Sequence, residues 1–186
     1  SVAVVDRFLD AVSVFEFGNG FDVPEDIRPY IAMLDGKRQL YCKGAMNTNF
    51  CMSNPKAREI VAKAIADYAE ISPQVNYLHV WLADSSKNHC ECDQCRKLTP
   101  SDWYVVLMND IDDELTKREL DTHIVFISYY DTLSAPLTET FNNPKRFTIL
   151  LAPITRTYTN AFVEADLNAP VELAPYKRNE NVMPKS

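Results

Sequence analysis

Several signatures that would place a chain at once are missing from this one. No run approaches the roughly 18 consecutive apolar residues of a spanning helix, and the opening residues have neither the charged start nor the small-residue cleavage site of a signal peptide. No basic stretch is longer than two residues, and 26 acidic against 19 basic side chains leave a formal charge of -7. That balance argues against a nucleic-acid or anionic-membrane surface and favours a neutral or polar small partner. A P-loop, a nucleophile-elbow serine and an H-E-x-x-H pair are all lacking, and "FGNGF" has no third glycine opening a helix after a strand. No organic cofactor is therefore expected. Internal repeats and low-complexity tracts are absent too.

What is present suffices for one ordinary domain: 186 residues, 46% apolar and 11% aromatic, can fill a substantial core. Near the start, Val4, Val5, Phe8, Leu9, Val12 and Phe15 recur at helical spacing, whereas "VSVFEF" alternates like a strand. "PEDIRPYIAML" predicts a short helix or turn ended by "DGKR", and residues 39–52 read as irregular. The clearest helix starts at Ser53 or Asn54 as cap with Pro55 in the first position. It is predicted to run to about Ala69, with Ile60, Val61, Ala64, Ile65 and Tyr68 facing the core.

"NYLHVWLAD", residues 76–84, reads as a buried strand ending on Asp84. A second helix is predicted from a cap at Ser101 or Asp102 to Lys117, burying Val105, Val106, Met108, Ile111 and Leu115, with Asp112, Asp113 and Glu114 on a solvated face. "THIVFISYYD" (122–131) and "RFTILLAPI" (146–154) are two further strands. Strands alternating with helices imply an α/β fold with right-handed crossovers and a mainly parallel sheet, residues 159–186 being an irregular C-terminal segment.

In such sheets the loops at the carboxyl ends of the strands carry the site. That rule brings Asp84, then Tyr129, Tyr130 and Asp131, then Thr155, Arg156 and Tyr158, to one face. Acids on neighbouring strand ends beside tyrosines, an arginine and Trp81 resemble a sugar site, where carboxylates do acid–base work and aromatics stack on the ring. Against this, an aspartate at a strand end commonly caps the next turn. Trp81 fits the core as well as a site, because alternation puts Trp81 and Ala83 on one face and Asp84 on the other. His79 lies mid-strand, the position of a satisfied core histidine, and His123 starts a strand.

The cysteines lie at 42, 51, 90, 92 and 95, and the last three sit within "HCECDQC". C-x-C-x-x-C supplies three thiolates, and zinc takes four ligands in a tetrahedron. Chelation by both His89 and Cys90 is awkward for adjacent residues. Cys51 is the better fourth ligand, in the loop just before the helix that leads into the Asp84 strand. Structural zinc on Cys51, Cys90, Cys92 and Cys95, a disulfide among them, and free buried thiols all remain open.

The segments "RPYIAMLDGKR", "NFCMSNPKAREIVAKAI", "HVWLADSSKNHCECDQC", "FISYYD" and "LLAPITRTY" occur in the order seen in a bacterial domain-of-unknown-function family. The resemblance covers roughly residues 28–158, and the family resembles the catalytic barrels of alpha-glucuronidases and beta-hexosaminidases. It singles out Cys51, Asp84, Cys90, Cys92, Cys95, Tyr130 and Arg156. What it implies is a (β/α)8 TIM-barrel-like fold over residues 1–158, within a larger bacterial protein that is secreted or at the cell surface. It further implies a carbohydrate substrate or ligand and an acid at Asp84; joined to the strand-end reading above, Asp84 is the expected catalytic acid or base with Asp131 as candidate partner, and Trp81, Tyr129, Tyr130 and Arg156 are the expected sugar-binding residues. Two departures stand out. A complete barrel needs about 250 residues, so a partial barrel is expected here. And where the hexosaminidases have an Asp-Glu pair, this chain has Asp84 followed by Ser85.

Overall fold

A computed structural model describes residues 2–5, 25–26, 28–41 and 47–153, with backbone only for residues 2–5. The expectations for residues 6–24, for Cys42, for Thr155, Arg156 and Tyr158, and for the segment 159–186 lie outside the described residues.

The frame is a parallel sheet of β1 (Val2–Val5), β4 (Tyr77–Val80), β5 (His123–Tyr129) and β6 (Phe147–Ala152), in that spatial order. A separate antiparallel hairpin joins β2 (Met33–Leu34) to β3 (Lys37–Arg38). Its turn residues Asp35 and Gly36 both have positive φ, 50° and 73°, as a two-residue hairpin turn that follows the strand twist requires. The helices are α1 (Pro55–Ile71) and α2 (Pro100–Lys117). The result is a mixed α/β fold with a parallel sheet. Among the described residues the strands do not close into a barrel.

Each helix starts where its sequence supplies acceptors. The Asn54 side chain accepts from the backbone N–H groups of Lys56 and Ala57, with Pro55 next. For α2 the cap is Thr99, one residue before Pro100, and not Ser101 or Asp102. Asp102 instead closes a capping box by accepting from the Thr99 N–H. Among the described residues no helix is long and apolar enough to cross a membrane.

The core lies between the helices and one face of the sheet. Val61, Ile65 and Ala69 of α1, Leu107, Met108, Ile111 and Leu115 of α2, and Leu78, Val80 and Ile124 of the sheet form one cluster. α1 is rotated from the expected face: Ala57, Ala62, Ala66 and Ala69 are buried along with Val61 and Ile65, while Ile60, Ala64 and Tyr68 are only half-buried. The alanines permit close approach of α2, which the larger residues would hold away. Val106 is likewise half-buried.

Asp112 departs from the solvated face expected of it. It is buried and accepts from Arg146 Nε at 2.7 Å. Arg146 also donates to the carbonyls of Leu120 and Thr122, so one guanidinium ties the start of β6 to the end of α2.

Residues 2–5 form a strand, where helical spacing at Val4 and Val5 suggested a helix. Consecutive apolar residues of a short strand contribute to a three-and-four pattern as readily as those of a helix. β4 ends at Val80, short of Asp84, because the chain leaves the ladder there and Ala83 N–H donates to the Asn49 side chain instead. The connection from β5 to β6 contains two short 3-10 turns and no α-helix. Beside it lies a hollow of about 240 Å³ whose lining includes Tyr104, Val105, Phe126, Phe141, Ile149 and Leu151. Ile149 and Leu151 are each 57% exposed, and Leu150 between them is 38% exposed. A parallel strand is normally buried on both faces, so β6 has the composition of an internal strand with neither face fully covered by the described residues.

Candidate metal centre and the strand-end face

Three segments bring the four cysteines together. Cys51 follows Phe50, whose backbone bridges Ile31, and the Cys51 N–H donates to the Tyr30 carbonyl at 2.7 Å. Cys90 and Cys92 lie in the loop after β4, and Cys95 begins a short 3-10 turn at its end. The Sγ atoms of Cys51, Cys90, Cys92 and Cys95 lie within 4.8 Å of one another. Cys51 Sγ is 3.7 Å from both Cys92 Sγ and Cys95 Sγ. None of the four is joined in a disulfide in this structure. Four sulfurs at the zinc–thiolate distance of about 2.3 Å on a tetrahedron would sit about 3.8 Å apart. The cluster could therefore hold a metal ion with little movement of its sulfurs.

The surroundings supply donors suited to sulfur anions. Met33 N–H points at Cys90 Sγ (3.2 Å) and Ser53 N–H at Cys95 Sγ (3.4 Å). The Ser53 hydroxyl is within 3.5 Å of the sulfurs of Cys51, Cys92 and Cys95. Arg38 Nη1 lies 4.0 Å from Cys90 Sγ and also donates to the Ile31 carbonyl. With protons in place of a metal, hydrogen bonds from Cys90 and Cys95 pull the Cys51 thiol well below its usual range. Its anion in turn pushes Cys90 up to about 12 and Cys95 higher still. Burial works against the charge on Arg38, but hydrogen bonding and attraction to the cysteines outweigh it and raise its pKa. Crowded thiols of this kind favour a divalent cation, because only then can all four be anionic together.

The strand-end face adjoins this cluster. Asp84 is exposed, and the Tyr129 hydroxyl donates to its Oδ1 at 3.0 Å across the ends of β4 and β5. Burial first, and then the Asp84 carboxylate, raise the Tyr129 pKa. The rings of Tyr129 and Tyr130 meet edge to face with centroids 4.3 Å apart, and Tyr130 has a positive φ of 42°, a strained setting for an aromatic residue.

Asp131 has a different environment. Its Oδ2 accepts from the Lys87 N–H at 2.6 Å and lies 3.8 Å from His89 Nε2, and its side chain is only 9% exposed. Burial lowers the His89 pKa, with Asp131 partly opposing. Asp131 thus holds the loop that carries the cysteines. The same loop is tied by Tyr41 OH to the Ser86 carbonyl (3.3 Å) and by the fully buried Asn88, whose amide donates to the Asn47 carbonyl (2.8 Å).

Trp81 is half-buried, 5.6 Å centroid to centroid from His79. Both Trp81 Nε1 and His79 Nδ1 are buried without a hydrogen-bond partner, so His79 is not the satisfied core histidine that its mid-strand position suggested. His123 does start β5 and stacks on Tyr77, with centroids 5.2 Å apart.

The structure brings Asp84 and Tyr129 into contact, packs Tyr130 against Tyr129, and gathers the four cysteines. Sequence reasoning missed Arg38, Met33 and Ser53 as partners of the sulfurs. Ser53 was legible only as a helix cap, and nothing in "DGKR" marks its arginine for a cysteine fifty residues away.

A parallel-sheet α/β domain with a four-cysteine cluster beside its strand-end loops is thus the class of molecule that the fold and site define. The chain belongs to the family described as domain of unknown function DUF4838, whose model matches residues 15–175. No curated protein and no solved structure matches it.

Proposed function

We propose that this chain is a carbohydrate-active domain of glycoside-hydrolase type, part of a (β/α)8-like barrel, with Asp84 as the acid–base carboxylate. A zinc ion on Cys51, Cys90, Cys92 and Cys95 fixes the loop behind it. The observation that carries the reading is the 3.0 Å contact between Tyr129 OH and Asp84. It joins an exposed carboxylate to an aromatic pair at the carboxyl ends of adjacent parallel strands, where α/β enzymes bind their substrates. Trp81, Tyr129 and Tyr130 would present ring faces to a sugar, and Arg156 would pair with a uronate carboxylate. Zinc is supported by the sulfur spacing and by ligands that are all cysteine. Such a set is closed, so its role is structural and it activates no water.

If Asp131 is the second acid, a carboxyl separation of about 5 Å corresponds to retention and roughly 6.5–9.5 Å to inversion. Hydrolysis of aryl-glycoside and oligosaccharide panels by the wild type and by Asp84→Asn tests the assignment. The expected outcome is a loss of about 10²-fold or more for the variant, the range of acid–base catalysis. Equal rates would remove Asp84 from the mechanism.

The engagement of Asp131 with Lys87 N–H and its closeness to His89, together with Ser85 where a glutamate would stand, favour a second reading, a non-catalytic glycan-binding or scaffold module. Calorimetric binding of a glycan without product formation would select it.

A further inference from the structure

Four thiolates around a divalent cation carry a net charge of minus two, and burying that charge is costly unless it is compensated. Cys51 and Cys95 are buried, and Cys90 and Cys92 are half-buried. Two backbone N–H groups and the Ser53 hydroxyl provide dipoles. A full positive charge is placed against a cluster sulfur by Arg38, whose Nη1 lies 4.0 Å from Cys90 Sγ.

Arg38 reaches that position through its hairpin. Two strands of two residues each have no stability of their own. The hairpin is instead fastened to the cysteine loop by Glu91 N–H to the Met33 carbonyl (2.7 Å), Met33 N–H to Cys90 Sγ (3.2 Å) and Asp35 N–H to the Glu91 carboxylate (3.0 Å). Arg38 Nη1 also donates to the Ile31 carbonyl, which aims the guanidinium at the sulfurs. Lys37, next to it on the same hairpin, is exposed.

We infer that Arg38 is the positioning and charge-compensating residue of the four-cysteine metal site, so that the β2–β3 hairpin is a working part of that site as well as a neighbour to it. This rests on the metal reading above. Arg38 lowers the energy of the thiolate form, raises affinity for a divalent ion and slows its loss. Outer partners of metal ligands typically account for 10–100-fold in affinity.

The test uses the whole chain, reduced and stripped of metal, titrated with Co²⁺ and then displaced with Zn²⁺. Absorption bands of tetrahedral cobalt–thiolate report the site directly. The wild type and Lys37→Gln are expected to bind one ion with the same affinity, Arg38→Gln about 10–100-fold more weakly, and Arg38→Lys in between. An Arg38→Gln affinity within twofold of the wild type would overturn the inference. Should Arg38→Gln fail to fold by circular dichroism, Arg38→Met, which also removes the charge, carries the comparison, and a wild-type affinity for it would overturn the inference equally. Absence of cobalt bands in the wild type would instead remove the metal reading, and this inference with it.

Discussion

Asp102 shows how much one carboxylate can hold. It is 1% exposed, and its two oxygens accept from Thr99 at the start of α2 and from the N–H groups of Leu137, Thr138 and Glu139 in the β5–β6 connection. Burial alone would raise its pKa, but these donors overcome it and bring the value down to about 2. A group with a depressed native pKa stabilises the fold above its unfolded value, near 3.9, and that contribution is lost as pH falls through about 2. Asp102→Asn, which loses an acceptor oxygen, is expected to cost about 1–3 kcal/mol in urea unfolding at neutral pH. Its unfolding free energy should also be flatter than the wild type's between pH 4 and pH 2. Only half of this was legible in the sequence. An aspartate near a helix start announces a cap, but its three partners more than thirty residues downstream depend on where an irregular connection folds back, and no periodicity encodes that.

At the level of elements, sequence reasoning located both helices and the strands β4, β5 and β6, because long periodic or branched apolar runs have few alternative uses. It misjudged faces and ends, since these depend on neighbours. α1 turns its alanines inward because α2 packs close, and β4 stops early because Asn49 captures the Ala83 N–H. The Asp112–Arg146 pair belongs here too, for it locks the end of α2 to the start of β6 through groups 7% and 10% exposed. Removing one partner of a buried pair leaves the other charge uncompensated. Arg146→Met is therefore expected to lose roughly 3–5 kcal/mol by urea unfolding. Adding Asp112→Leu should restore part of that loss, a recovery that a mere packing defect at residue 146 would not show.

Across the whole molecule, the four-cysteine cluster sits where three parts meet that hydrogen bonds also fasten together: the hairpin, the approach to α1 and the loop beside the strand-end face. Its ligand set could be read from C-x-C-x-x-C plus one cysteine before a helix, whereas the cradle of donors around it could not. If a metal ion occupies the cluster, a strong chelator should lower the thermal midpoint by several degrees, the scale expected when about 2 kcal/mol of binding energy leaves a domain of this size. Re-addition of Zn²⁺ should restore it. An unchanged midpoint, with metal analysis showing none bound before chelation, would rule the clamp out.

The cluster also bears on the order in which the chain is built. Its cysteines all lie between residues 51 and 95, and Arg38 precedes them, so every component is synthesised before β5 begins at His123. Domains acquire structure as synthesis proceeds from the N-terminus. A metal captured as Cys95 emerges would close the loop from Cys51 to Cys95 around α1 and β4 before β5 and β6 are free to pair, and would give the later strands a finished edge on which to assemble.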